Sequence, residues 1–396
     1  MKKEFVVFVF LLYTLLFFLN EETFAIEDPK LSPNNKFGVH ILFASEIEEA
    51  AKLINSSGGD WGYVTIPIQA GDKDLLKWQQ FMDDAKRLHV IPIIRLATEG
   101  DYFKNSVWRK PSFADVLDFS NFLNSLDWPT INRYVLVFNE PNRADEWGGL
   151  VDSSDYANIL SYAVETFKSK NQDFFIISAG LDNAAENIEG ESRNQYSFMQ
   201  EMYNAVPNVF NQIDAISSHS YPNPGFRQPS WVLTKRSIAS FIHEKRLADL
   251  LGDKNLPVFI TETGWSQDVV SDSQIANYFE QAFESVWASD GIIAVTPFVL
   301  FAGTGPFIQF SLISKNGEYS EVYKAIKETP KIKGNPKEEE VKTEGSALKN
   351  QTLPRTTTVR GLPTRDFTSY NQFDKESIAK AKAATAAEFV KWFLRI

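Results

Sequence analysis

The sequence of 396 residues contains no cysteine, and this absence removes whole classes of chemistry. Without a thiol there is no disulfide, no cysteine nucleophile, no iron–sulfur cluster and no cysteine-bound zinc. Histidine is also scarce, because the four present show no His-x-x-x-His spacing, and no Asp-x-Asp-x-Asp-Gly calcium loop occurs. The sequence therefore predicts chemistry carried by oxygen groups, with no metal ion and no cofactor.

Excess positive charge is missing as well. The chain has 51 acidic and 40 basic residues, a formal net charge of −11, so nucleic acid is not an expected partner. The distribution is uneven, since residues 331–396 hold 13 basic and 8 acidic residues. This reversal of sign predicts a boundary between an acidic body and a basic tail.

The N-terminus has the pattern of an export signal. Lys2 and Lys3 precede an uncharged apolar run over residues 5–19, and small Ala25 follows shortly after. A spanning helix needs about 18 or more apolar residues, which favours a cleaved signal peptide over a retained membrane anchor. We therefore expect a protein that is secreted or associated with the cell envelope.

Eight short apolar runs rich in Val, Ile and Phe alternate with longer segments whose apolar residues have helical spacing. The runs are 37–43, 61–66, 91–96, 134–138, 174–178, 213–218, 258–261 and 292–299. Runs that barely alternate are typical of parallel strands buried on both faces. The pattern predicts an α/β fold, a (β/α)₈ TIM barrel, in preference to a doubly wound sheet, because no Gly-x-Gly-x-x-Gly follows an early strand.

The tail is predicted to be a linker followed by a helix. Residues 375–396 place apolar side chains on one side of a helix and Lys380, Lys391 and Arg395 on the other. Such a helix fits an anionic envelope or membrane surface or a partner, and it fits equally well docking on the barrel. The expected organisation is signal peptide 1–25, linker 26–35, barrel 36–328, disordered linker 329–373 and amphipathic helix 374–396.

Two acids stand where apolar strands end, the position at which barrel enzymes carry their catalytic groups. Glu140 follows the fourth strand and Glu262 ends the seventh. Taken singly, Glu140 has the alternative of a surface ion pair with Arg143, and Glu262 that of a helix N-terminal carboxylate. Taken together, they lie across the barrel mouth, where paired carboxylates are the machinery of glycoside hydrolysis.

Three motifs in this arrangement resemble glycoside hydrolase clan A, the retaining "4/7" barrel superfamily of cellulases, β-1,3-glucanases and β-xylosidases. They are Asn-Glu-Pro after strand 4, His-x-Tyr after strand 6 and Thr-Glu-Thr-Gly-Trp after strand 7. The resemblance covers residues 36–328. It implies Glu140 as the general acid/base, Glu262 as the nucleophile and Asn139 as a partner of the sugar 2-hydroxyl. It also implies that His219 and Tyr221 line the site, with Tyr221 donating to Glu262.

Two further residues are candidates for substrate binding. Arg95 would supply an arginine near the nucleophile, although it lies on the third strand where the common pattern of the clan uses the second. Trp265, three residues beyond Glu262, is the preferred aromatic platform for a sugar ring. Trp108, Trp147 and Trp231 also follow strands and are alternatives as rim residues or as packing residues. Strand 8 lacks the tryptophan that many clan members carry.

The sequence thus predicts a secreted, monomeric, retaining glycosidase that hydrolyses the O-glycosidic bonds of a poly- or oligosaccharide. We expect these bonds to be β-linked. A transglycosidase of the same fold and a catalytically inactive carbohydrate-binding barrel are the alternatives. The sugar, the linkage and the choice between endo and exo action stay open, because loops decide them.

Overall fold

The computed structural model describes residues 26–100 and 107–339, within which parallel strands alternate with helices. The strands are β1 (Gly38–His40), β2 (Gly62–Gln69), β3 (Val90–Ala97), β4 (Arg133–Val137), β5 (Phe174–Ser178), β6 (Ile216–His219), β7 (Val258–Glu262) and β8 (Ile292–Val295). The helices are α1 (Ile47–Ile54), α2 (Leu75–Arg87), α3 (Phe113–Asn124), α4 (Ser153–Lys170), α5 (Gln195–Ala205), α6 (Val209–Gln212), α7 (Ser240–Gly252), α8 (Asp272–Glu284) and α9 (Glu321–Glu328). Each predicted strand is present, so the alternation read from the apolar runs is confirmed.

The strands form two parallel sheets in which neighbours follow chain order, β1 to β5 and β6 to β8. Isolated parallel bridges span the two gaps between the sheets: Ile177 with Ala215, Asp182 with His219, and Phe37 with Val295. The predicted α/β fold of parallel strands is therefore confirmed. The described residues do not close the barrel with continuous ladders.

The apolar strand residues divide into two buried layers, one toward the helices and one on the inner face of the strands. Rings from different strands meet in the inner layer, where Tyr134 of β4 lies 5.4 Å from Phe259 of β7 and 6.1 Å from Tyr63 of β2 between centroids. Strands buried on both faces explain why their sequences barely alternate. The filled interior leaves polar side chains to the carboxyl ends of the strands.

Most of the longer helices start at a residue whose side chain accepts a backbone N–H of the first turn. Asp74 does this for α2 and Asp152 for α4, while Ser112 and Asp115 form a reciprocal capping box at α3. A cap satisfies donors that the first turn leaves without partners. These caps fix where the helices begin.

The segments before β1 and after α9 pack at the amino-terminal ends of the strands. The Asn335 N–H donates to the Pro33 carbonyl, and Lys333 and Glu338 form β-bridges with Asp60 and Thr130. The compact unit extends to Glu338, so the first ten residues of the predicted linker, 329–338, belong to its packed part.

The predicted signal peptide, residues 1–25, and the predicted amphipathic helix, residues 374–396, lie outside the described residues. Within residues 26–100 and 107–339, every helix is too short or too polar to cross a membrane.

Lys331 ties this terminal segment to α9. Its Nζ donates to the carbonyls of Ile326 at 2.6 Å, Thr329 at 2.9 Å and Lys327 at 3.2 Å, and to Ser56 Oγ at 3.1 Å. Burial lowers the pKa of this amine to about 8. A cation at a helix C-terminus also interacts favourably with the helix dipole, which offsets part of the desolvation.

Replacing Lys331 with Met should lower the free energy of unfolding by about 2 kcal/mol, because buried carbonyls lose their donor. Urea unfolding at pH 7 measures this change. Lys333→Met, at an exposed lysine two residues on, is the matched control and should change stability by less than about 0.5 kcal/mol. Equal effects of the two substitutions would contradict an anchoring role for Lys331.

Candidate active site

Glu140 and Glu262 meet at the carboxyl ends of β4 and β7. One oxygen of each carboxylate and one ring nitrogen of His219 lie within 4.8 Å of one another. Both glutamates are 8% exposed, and His219 is fully buried. Two acids 122 positions apart thus share one pocket, as their strand-end positions predict.

The backbone after β4 is strained where it presents Glu140. Phe138 has φ of +66° and Glu140 has φ of +34°, a region that residues other than glycine rarely adopt. Such positions cost about 1–3 kcal/mol each and concentrate at functional sites. The Glu140 N–H donates to the Gly180 carbonyl at 3.1 Å, which holds the turn against the loop after β5.

Glu262 has different neighbours on its two oxygens. Tyr221 Oη donates to Oε2 at 3.0 Å, the hydrogen bond that the clan resemblance implies. The Oε1 side faces His40 Nε2 at 3.7 Å and Arg95 Nη1 at 4.0 Å. Burial, followed by the charges of Glu262 and Glu140, raises the pKa of Tyr221 well above its ordinary value, so the phenol stays a donor.

Glu140 accepts hydrogen bonds on both oxygens. His219 Nδ1 lies 2.8 Å from Oε1, and Arg143 Nη1 donates to Oε2 at 3.0 Å. Arg143 also pairs with Asp145 and approaches Asp182. The ion pair that we considered as an alternative to a catalytic role for Glu140 is therefore present, and it lies inside the pocket with Glu262.

His219 stands between the two carboxylates, with Nδ1 3.7 Å from Glu262 Oε2. Burial disfavours its charged form, but Glu262 and Glu140 together outweigh burial and raise the pKa of His219 above its ordinary value. The ring packs against Gly180, where a Cβ atom would lie 2.1 Å from Cδ2. A protonated imidazole here offsets the repulsion between the two acids.

Asn139 and Arg95 line, with Trp108 and other residues, a cavity of about 20 Å³, which has room for about one water molecule. Asn139 Oδ1 is buried without a hydrogen-bond partner among the described residues. Arg95 lies on β3, as counted from the sequence, and it reaches Glu262 from there. The departure from the strand-2 arginine of the clan is therefore a feature of this chain.

The structure contradicts the prediction that Trp265 offers a sugar platform. Its side chain is 1% exposed, its Nε1 donates to the Gln228 carbonyl at 2.7 Å, and its ring packs against Phe279 and Trp287. After Glu262 the chain turns away from the direction of β7, so the side chain of Trp265 faces the helices. Trp147 is likewise 1% exposed, whereas Trp231 is 65% exposed.

His40 is a site residue that was not selected from the sequence. It is the last residue of β1, but the predicted run 37–43 places it in the middle of a strand, so the rule that polar strand ends carry function did not single it out. A histidine in an apolar run is more often a packing residue, and sequence spacing alone does not bring it to Glu262.

Glu140, His219 and Glu262 are the one set of acidic and histidine side chains in residues 26–100 and 107–339 close enough to share a cation. The guanidinium groups of Arg95 and Arg143 lie within 4.0 Å of the same carboxylates and oppose a further positive charge. The absence of a metal from the chemistry stays a prediction.

A network of hydroxyl groups links β6 to α7. Ser218 Oγ donates to Glu244 Oε1 at 3.0 Å and lies 2.8 Å from Ser220 Oγ. Glu244, on α7, is 2% exposed, and burial raises its pKa from 4.5 to about 7. The network holds the strand from which His219 and Tyr221 project.

A family model described as the glycosyl hydrolase catalytic core matches residues 98–325, which is more than half of the chain. The chain belongs to this family. The match confirms the resemblance drawn from the strand-end motifs, and with it the prediction of a glycosidase. A search of curated proteins finds no match.

Solved structures resemble this glycosyl hydrolase in fold. A family 39 glycoside hydrolase from the gut symbiont Bacteroides cellulosilyticus WH2 aligns with a TM-score of 0.51 at 15% identity, over 77% of this chain and 64% of that one. An endo-β-1,4-glucanase from Xanthomonas axonopodis pv. citri gives 0.51 at 15% identity, over 74% and 98%. A glucosidase from Croceicoccus marinus gives 0.55 at 9% identity, over 75% and 67%. This chain therefore spans less than two thirds of the first enzyme.

Substituting Gly180 with Ala should displace His219 in this glycosyl hydrolase, because the new Cβ would meet its ring at 2.1 Å and 2.4 Å. Losing the 2.8 Å contact with Glu140 should lower kcat/KM about 10- to 100-fold. Release of reducing sugar from β-linked glucans, xylans, mannans and galactans measures this. Gly71→Ala is the control, since a Cβ atom at that position would have no other atom within 4 Å. Equal rates for the two variants would show that the ring position is unimportant.

Stability should fall as pH rises through the range in which Glu244 titrates. The folded-state pKa of Glu244 is about 7, above the ordinary 4.5, so the folded state favours the protonated carboxyl. The contribution of this group to the free energy of unfolding is complete below pH 4.5 and is lost as pH rises through about 7. Glu244→Gln should therefore be more stable than the wild type by about 3 kcal/mol at pH 8 and indistinguishable at pH 4. Urea unfolding at both pH values tests this, with exposed Glu280→Gln as the control. A difference independent of pH would contradict the assignment.

Proposed function

We propose that the chain is a retaining glycoside hydrolase that cleaves β-linked poly- or oligosaccharides through a covalent glycosyl-enzyme. The observation that carries this proposal is the proximity of the two acids, whose nearest oxygens lie within 4.8 Å. Retaining enzymes hold their carboxyl groups about 5–5.5 Å apart, whereas inverting enzymes leave about 6.5–9.5 Å for a water molecule. An oxygen–oxygen separation within 4.8 Å supports the retaining arrangement for Glu140 and Glu262.

In the first step, an oxygen of Glu262 attacks the anomeric carbon while protonated Glu140 gives its proton to the leaving oxygen. The glycosidic bond breaks, and its electron pair stays on that oxygen. The Tyr221 hydrogen bond and the nearby Arg95 charge support Glu262 as the ionised partner. The Tyr221 hydrogen bond also restrains rotation of the carboxylate.

In the second step, Glu140 as a carboxylate takes a proton from water, and the water oxygen attacks the anomeric carbon. The ester bond to Glu262 then breaks, and the sugar leaves with its original configuration. His219 contacts Glu140 and lies near Glu262, so its ring can stabilise whichever of the two carries the negative charge at each step. The buried, unpartnered Oδ1 of Asn139 supports a role for this amide in binding the sugar 2-hydroxyl.

Two wider features belong to the same proposal. The isolated bridges between the sheets and the ring contacts across the interior support one (β/α)₈ barrel. The β-linkage rests on the clan resemblance and on the fold shared with the Xanthomonas endo-β-1,4-glucanase. Export to the envelope or beyond rests on the sequence of residues 1–25 alone, and surface binding by residues 374–396 rests likewise on their pattern.

Glutamine substitutions should separate the roles of the two acids. Glu262→Gln removes the nucleophile and should lower turnover of every active glycan about 10³-fold or more. Glu140→Gln should lower it about 10²- to 10⁴-fold, yet it should spare the first step on 2,4-dinitrophenyl glycosides, whose leaving group needs no proton. Initial rates on the glycan panel and burst kinetics on the aryl glycosides measure both effects. Exposed Glu280→Gln is the matched control.

Product stereochemistry gives an independent answer. Proton NMR during early turnover should show the anomer that the substrate had, and an inverted product would overturn the retaining proposal. Undiminished turnover by Glu262→Gln would remove its role as nucleophile. Lengthened oligosaccharides among the products would favour the transglycosidase, and retention of glycan binding without any turnover by the wild type would favour the inactive barrel.

A further inference from the structure

His40 occupies a position whose purpose packing does not explain. Its backbone is fixed from two sides, since its N–H donates to the Pro297 carbonyl at 3.0 Å and its own carbonyl accepts from Leu300 N–H at 2.9 Å. The side chain is completely buried, and its ring meets the ring of Phe298 edge-on at 5.0 Å. Neither ring nitrogen makes a hydrogen bond of ordinary geometry with the described residues, although the backbone of Ile41 interacts weakly with the ring. Burying an unpartnered polar ring destabilises a fold, whereas an apolar side chain here would not.

The ring points at the nucleophile of the proposed reaction. His40 Nε2 lies 3.7 Å from Oε1 of Glu262. That oxygen has no hydrogen bond within the described residues at usual distances, and the cation nearest to it is Arg95 at 4.0 Å. The second oxygen already accepts from Tyr221. One side of the Glu262 carboxylate is therefore held, and His40 is the donor available to the other side.

Electrostatics give this histidine a defined role as a neutral donor. Burial, then the charges of Arg95 and His219, keep the pKa of His40 well below its ordinary value. A neutral imidazole carries one N–H, and the negative carboxylate opposite Nε2 favours the tautomer with the proton on that nitrogen. Such a ring adds a donor to the pocket without adding a charge that would compete with Arg95 or His219.

We propose that His40 is a positioning residue for Glu262, whose Oε1 accepts a hydrogen bond from Nε2–H when substrate is bound. Hydrogen bonds of this kind are often long in the free enzyme and shorten in the substrate complex. Tyr221 and His40 then hold the two oxygens from opposite sides. The inference rests on the proposed function, in which Glu262 is the nucleophile.

A pair of substitutions separates donation from packing. His40→Leu fills the space without a donor, and His40→Gln keeps an N–H at similar reach. We expect His40→Leu to lower kcat about 10- to 100-fold, the effect of losing a hydrogen bond to a charged group, with KM changed less than about threefold. His40→Gln should stay within about fivefold of the wild type. His243→Leu, at a half-buried position of α7, is the matched control and should leave both constants unchanged.

Thermal unfolding of each variant accompanies the kinetics. His40→Leu should be at least as stable as the wild type, because it removes a buried polar ring that lacks partners. Equal losses of kcat in the Leu and Gln variants, matched by equal losses of stability, would show that His40 only fills space. A Leu variant with wild-type kcat would also overturn the inference.

Covalent trapping distinguishes failure of this inference from failure of the proposed function. The probes are the 2,4-dinitrophenyl 2-deoxy-2-fluoro-β-glycosides of glucose, xylose and galactose, with the modified residue identified by mass spectrometry. We expect the wild type to be labelled on Glu262 and His40→Leu to be labelled more slowly, by the factor seen in kcat. Labelling of Glu262 at equal rates would remove only the role of His40. Labelling elsewhere, or none with any probe, would overturn the proposed function and this inference with it.

Discussion

Two carboxyl groups share one buried pocket, and the cationic side chains around them are arranged to stabilise negative charge there. Glu140 and Glu262 lie within 4.8 Å of each other in a site from which water is largely excluded. Arg143, Arg95 and His219 bring positive charge to the same oxygens from three different strand ends or loops. A buried cation in turn needs a carboxylate nearby to stabilise its charge. The cations and the two carboxyl groups therefore depend on one another.

The strands beneath the pocket hold this arrangement in place. Parallel strands bring their carboxyl ends to one edge, so residues distant in sequence converge there. Tyr134 and Phe259 fill the interior below the two glutamates and fix the spacing of β4 and β7. The strained turn at Phe138 and Glu140 is tolerated because the surrounding contacts over-determine it. Rigid packing below thus permits strain and concentrated charge above.

The residues whose place near the site could be predicted from the sequence and those whose place could not differ in one physical respect. Glu140 and Glu262 stand at or next to strand ends, where an abrupt change from apolar to charged residues marks the position along the chain. The local sequence gives no such signal for Trp265, because an aromatic side chain suits a core as well as a sugar-binding cleft. Trp265 lies in the core. His40 was passed over for the opposite reason, since one polar residue in an apolar run looks like a packing residue.

Apolar periodicity was enough to establish eight parallel strands, their order and the two acids at the edge, because burial on both faces and strand-end polarity are local properties. The direction of each side chain beyond a strand end depends on twist, on bulges such as that between Ser218 and His219, and on loop paths. Those features bring Arg95 to Glu262 from β3, turn Trp265 toward the helices and set His40 beside the nucleophile. They arise from packing between distant segments, which no local pattern records.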